Sequence, residues 1–201
     1  MPERWRKPYN WGAVPLASFA EKFGTPESAL YPYCYMHITP AVVFGNERVT
    51  FLDNDANAIE LLRREGLKAV HADVREFKPK GQKYDMLILL QPELGARHVI
   101  AHLKKGGFVL ANTGDYTAEE LLFERGSFEL LGVIDRKTGE FARATATAIN
   151  VLEASWRHYQ EWAARLSSIG GDMEVEKSYL PSVEVAKAWN MRDMFVLRED
   201  G

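Results

Sequence analysis

Apolar and polar positions along this chain switch repeatedly between two periods. Short runs that alternate, or that are apolar throughout, read as strands: "RVTFLD" (48–53), "KAVHAD" (68–73), "YDMLILLQP" (84–92), "GFVLAN" (107–112) and "FELLGVID" (128–135). Between them lie stretches with helical spacing. "NAIELLRREG" places Ile59, Leu62 and Leu61 toward one side and is closed by Gly66; "ELGARHVIAHLKKGG" exits through Lys-Lys-Gly-Gly; "TAEELLFERG" follows the next strand. "YDMLILL" is apolar at nearly every position, the pattern of a strand buried on both faces. Strand and helix alternating at this interval predict βαβ units and an α/β fold, a doubly wound, mostly parallel sheet with helices on both faces. "YDMLILL" and "ALYPYC" are expected side by side at its centre.

The flanks are less regular. Residues 1–15, rich in Pro, Trp and Arg, read as an irregular arm, and "PLASFAEKFG" as a short amphipathic helix. "SALYPYCYM" alternates like a strand that Pro32 ends, and "TPAVVFG" fits a helix with Thr39 as N-cap and Pro40 in its first turn. After Asp135, "TAINVLEASWRHYQEWAARLSSIG" reads as helical, with Trp156, Tyr159, Trp162 and Leu166 near one face. "DMFVLRED" reads as a closing strand at an antiparallel edge. The expected organisation is an arm and helix over 1–27, then one α/β domain over 28–201 that includes the late helix and the closing strand.

Composition narrows the class. The 201 residues, 46% hydrophobic and 26% charged, suit a globular domain with a sizeable core. The net charge of −3 gives no global basic field, so nucleic acid is not indicated; "RWRKPYNW" reads as a packed arm before a base-stacking one. No apolar run reaches the roughly 20 residues of a membrane span, and "MPERWRKPYN" has no apolar signal core. The single Cys34 cannot form an internal disulfide, which makes the cytoplasm the expected compartment. His98 and His102 stand four apart on an expected helix, a chelating spacing, but no third ligand accompanies them and no metal is expected.

Ligands of such sheets sit beyond the carboxyl ends of the parallel strands. The residues there are Asp53 and Asp55, Asp73, and Gln91-Pro92-Glu93. Asp53 is either a two-oxygen acceptor for a ribose diol or a solvated strand end. Asp55 reads as the N-cap of the next helix. Asp73 is a ligand group or a turn residue. Glu93 reads as a general base or as an acid in the first turn of a helix.

In order and spacing, "VTFLDND", "VHADVREF", "YDMLILLQPE" and "LKKGGFVLAN" resemble the second to fifth strands of the class I S-adenosylmethionine-dependent methyltransferases, over residues 28–135. The resemblance implies a Rossmann-like methyltransferase fold. It implies that Asp53 holds the ribose, that Asp73 and the backbone of Val74 meet the adenine, and that Gln91 and Glu93 face the methyl acceptor. The family's first strand ends in an acidic residue and a glycine-rich loop. Here Tyr31 stands at the acidic position, 22 residues before Asp53, and Tyr33, Tyr35 and His37 stand at the three glycines. Glycine serves such a loop by permitting positive φ and by letting a ligand touch the backbone, and tyrosines are expected to remove both advantages. Tyr33 and His37 would border the methionine half of the cofactor, and Tyr31, Tyr33, Tyr35 and His37 could together cage its sulfonium or another onium group. The loop is either reshaped into an aromatic-lined pocket or closed to the cofactor. Two functions follow: a divergent methyltransferase with S-adenosylmethionine as cofactor, or a catalytically inactive module of the same fold that binds a nucleoside-like ligand or another protein.

Overall fold

A computed structural model describes residues 12–79, 81, 83–90, 96–112, 116–168 and 194–200. Among them, eight strands form one sheet in the order β3-β2-β1-β4-β5-β8-β6-β7. The strands are β1 (Ala29–Pro32), β2 (Val49–Asp53), β3 (Lys68–His71), β4 (Tyr84–Leu89), β5 (Leu103–Asn112), β6 (Phe128–Ile134), β7 (Phe141–Arg143) and β8 (Met194–Glu199). β3, β2, β1, β4 and β5 pair in parallel; β1 lies between β2 and β4, so the segments expected side by side, "ALYPYC" and "YDMLILL", are neighbours. The strand order reverses between β1 and β4. A crevice opens at such a switch point beyond the carboxyl ends of the strands.

Period two sorts the strand residues onto two faces. Ala29, Tyr31, Phe51, Met86, Ile88 and Leu110 meet α1 (Ala13–Phe23), α2 (Thr39–Phe44) and α3 (Ala56–Arg64). The alternate set, Leu30, Leu52, Leu87, Leu89, Val109 and Ala111, meets α4 (Thr117–Glu119) and α5 (Ala146–Ser168) through Ala118 and Leu152. α1 contributes Leu16 and Phe19 to the same cluster as the strands. α4 widens into a π-helical turn over Glu120–Arg125, ended by Gly126 at φ +62°.

Four details differ from the pattern-based expectation. The stretch after Gly95 is not a helix: it forms two 3₁₀ turns, Ala96–His98 and Ile100–His102, and the Lys-Lys-Gly-Gly segment is already strand. Leu103 pairs with Tyr84, and Lys104 Nζ reaches Asp85 Oδ1 at 2.7 Å, so partners across the sheet draw this segment into β5. β8 is antiparallel but not an edge. It lies between β5 and β6 and bonds to both, which explains its apolar run "MFVL". The edge is instead β7, a short strand the pattern missed. The Asp135 carboxylate accepts the N–H groups of Lys137 and Thr138 and so turns the chain back onto β6. Thr39 lies inside α2, with Ile38 as its N-cap. Among the described residues, no helix is long and apolar enough to cross a membrane.

Candidate functional site

The chain leaves β1 at Pro32 and enters a loop at the switch point. Tyr33 has φ +55° and Tyr35 φ +45°. The expectation that tyrosines forgo positive φ is therefore wrong: the backbone keeps the left-handed conformation that glycine adopts freely. Holding an L residue there costs roughly 1–2 kcal/mol, so surrounding bonds must enforce it. Asp53 does much of this. Its Oδ2 accepts the Tyr35 N–H at 2.7 Å, and its Oδ1 accepts the Asp55 N–H at 2.9 Å. The His37 N–H closes onto the Cys34 carbonyl at 2.9 Å.

The loop's side chains go to both faces of the sheet. Tyr31 and His37 are buried and share a 2.8 Å hydrogen bond between Oη and Nδ1. Cys34 is buried beside them, its thiol donating to the Leu52 carbonyl. Burial, aided by the nearby charge of Asp53, pushes the Cys34 thiol well above its ordinary pKa, which makes it a poor nucleophile at neutral pH. Tyr33 turns the other way. It is half-buried against the cluster that contains Leu30, Leu52, Val74, Leu89 and Ala111.

Asp73 follows β3. Its carboxylate accepts the Arg75 N–H at 2.8 Å and grips the Arg75 guanidinium, with Nη2 to Oδ2 at 2.5 Å. The guanidinium and the backbone N–H of Arg75 together hold the Asp73 carboxyl down to about 2. Arg75 and Tyr33 are near enough to interact electrostatically. Val74 is buried in the same cluster as Leu30 and Leu52. Asp55 caps α3, accepting the N–H groups of Asn57 and Ala58 at 2.8 and 3.0 Å. Gln91 and Glu93 lie outside the described residues.

Tyr31, Tyr33, His37, Asp53, Asp73 and Val74 thus come to one end of the sheet. His98 and His102 lie on separate 3₁₀ turns and not on one helix. Burial lowers both their pKa values, and among the described residues no cluster of three potential metal ligands exists.

Near the carboxyl end of β5 the pattern missed two buried carboxylates. Glu120 accepts the N–H groups of Ala96 and Arg97 at 3.2 and 3.3 Å, and Glu119 accepts from Ser155 Oγ at 2.9 Å. Beside them Tyr116, Trp156 and Tyr159 stack in a buried group. No signal in "TAEELL" marks these acids as interior, because consecutive glutamates in a first helical turn ordinarily face water.

No protein-family profile matches the sequence, and no curated protein sequence does. Solved structures do. The plantazolicin methyltransferase BpumL, in complex with a monoazolic desmethylPZN analog and SAH, is 12% identical over 94% of this chain and 82% of that one, with a TM-score of 0.51. The [4+2]-cyclase SpnF is 13% identical over 94% and 80%, with a TM-score of 0.50. Streptomyces venezuelae DesVI matches over 50% of this chain and about half of its own length (49%), at 20% identity and a TM-score of 0.40. The first two likenesses carry the fold: this chain has the Rossmann-like α/β fold of the methyltransferases. One such fold serves both a methyltransferase and a cyclase, so the fold leaves the chemistry to the site.

Proposed function

We propose that this protein is a non-catalytic module built on the methyltransferase fold, which binds a ligand or another protein and does not transfer methyl groups. The observation that carries this reading is the Tyr33 side chain. It packs against the apolar cluster around Leu30, Leu52 and Val74, at the loop where the family presents bare glycine backbone. Adenosylmethionine in an extended pose would have to displace that ring. It would also share Asp53, whose two oxygens each already accept one N–H, from Tyr35 and Asp55, and share Asp73 with Arg75. These arrangements support a loop closed to the cofactor in that pose.

Thermal unfolding with and without adenosylmethionine or adenosylhomocysteine tests the reading. A ligand at 100 times its dissociation constant adds about 2.7 kcal/mol to the native state. The expected outcome is no shift for the wild type and a measurable shift for Tyr33→Gly, whose melting is recorded first to establish that it folds. A clear shift in the wild type would instead support a divergent S-adenosylmethionine-dependent methyltransferase. The positive φ of Tyr33 and Tyr35 favours that second reading, since the loop backbone retains the glycine conformation. Gln91 and Glu93 would then be the first residues to test for loss of turnover.

A further inference from the structure

We propose a second ligand site at the opposite end of the sheet, one that takes a small organic anion with a flat apolar body. It does not depend on the reading of the crevice. A cavity of about 350 Å³ lies between the last turn of α1, the first half of β6, the end of β7 and the end of β8. β6 runs parallel to β1, so this is the amino end of the parallel strands, whereas the crevice is at the carboxyl end. The volume falls at the lower end of the roughly 300–1,000 Å³ typical of small-molecule sites.

Its floor is apolar and partly aromatic. Phe23 and Phe141 meet edge to face at 5.3 Å and pack in one cluster with Leu131. Its rim is cationic. Among the described residues, Lys22, Arg143 and Arg198 line it against a single carboxylate, Glu129, which pairs with Arg198 at 3.1 Å. The lining therefore carries an excess of two positive charges on a chain whose net charge is −3. Such local concentration of one sign draws oppositely charged ligands, and guanidinium groups grip carboxylate and phosphate oxygens in pairs. Lys22 Nζ stands 4.6 Å from the Phe141 ring centroid, so the charge sits directly over the apolar floor.

The backbone provides for this floor. The pairing of β6 with β8 shifts register between Leu130 and Gly132. A Cβ at Gly132 would overlap the Ala142 carbonyl oxygen and the Phe141 ring. Only glycine lets that ring lie across β6. The site thus combines an apolar base, a cationic rim and a glycine that seats the base. A basic track along one face, as a nucleic acid needs, is a different arrangement.

The test is an amide NMR titration of the full chain with three probes: 1-naphthoate, phenyl phosphate and the uncharged 1-naphthalenemethanol. Saturable shifts are expected for at least one anion at residues 22–23, 130–132 and 141–144. Its half-saturation should be at least about tenfold tighter than that of the neutral probe. The better of the two anions tells carboxylate from phosphate. Arg143 is exposed, so Arg143→Gln should fold normally and weaken the anion about fivefold or more, a fraction of the energy of a charge-assisted bond. Gly132→Ala should displace the floor and abolish the shifts. Four results would each overturn the proposal: no saturable shift for either anion in the low millimolar range, equal binding of the neutral probe, unchanged affinity in Arg143→Gln, or shifts confined to residues 33–37.

Discussion

Asp53 holds a left-handed loop together. Its two carboxylate oxygens each take a backbone N–H, one from Tyr35 at positive φ and one from the start of the next helix. Hydrogen bonds to a charged group contribute about 1.5–3 kcal/mol each, so Asp53→Ala should lower unfolding stability by about that amount or more. Asp55→Ala removes only a helix cap and should cost about 1 kcal/mol. Urea denaturation of the two variants measures the difference. Equal losses, or none at Asp53, would return Asp53 to the role of a pure ligand group. Asp73 is held ionised by Arg75 to a pKa of about 2, below the ordinary value of about 3.9. Its contribution to stability is therefore full above pH ~3.9 and is lost as pH falls toward 2. The group is solvent-accessible, so the effect on overall stability is small, and the titration itself is the better readout. Carboxyl NMR should place the Asp73 midpoint near 2 in the wild type, and Arg75→Gln should move it up toward the ordinary value.

At the scale of elements, the decisive feature is β8 in the middle of the sheet. Phe195 has no exposed surface and pairs with Ala111 on one side and Val133 on the other. Truncating a buried phenylalanine costs about 3–5 kcal/mol, and Phe195→Ala should fall in that range by urea denaturation. A cost below about 1 kcal/mol, typical of exposed positions, would contradict the interior placement. β8 also explains why β6 is buried along most of its length although it neighbours the sheet's far edge. The helices follow the same logic. α3 was legible from the spacing of Ile59 and Leu62 and the Asp55 cap, because its buried face and its start are both local features. The 3₁₀ turns before β5 were not legible. Their sequence has helical periodicity, but Glu120, some two dozen residues later in the chain, takes the N–H groups of Ala96 and Arg97. A partner so distant in sequence leaves no trace in a local pattern.

At the scale of the molecule, one sheet separates the switch-point loop at the carboxyl ends of its parallel strands from the anion site proposed at their amino ends. The apolar runs were enough to mark β1 to β5 as strands of a parallel core with β4 in its interior, because burial on both faces demands continuous hydrophobicity and burial on one face demands a period. The strand-end acids were likewise visible, since the rule that ligands gather at the carboxyl ends needs only strand order. What the loop does with its tyrosines was not visible. Residue type alone argued against positive φ at Tyr33 and Tyr35, and only the three-dimensional arrangement, with Asp53 placed to accept the Tyr35 N–H from 18 residues away, imposes it. The interior place of β8 and the cavity at the amino ends have the same origin. Each depends on which segments become neighbours after folding. Hydrophobic spacing records how deeply a segment is buried, while the identity of its neighbours is settled by long-range packing.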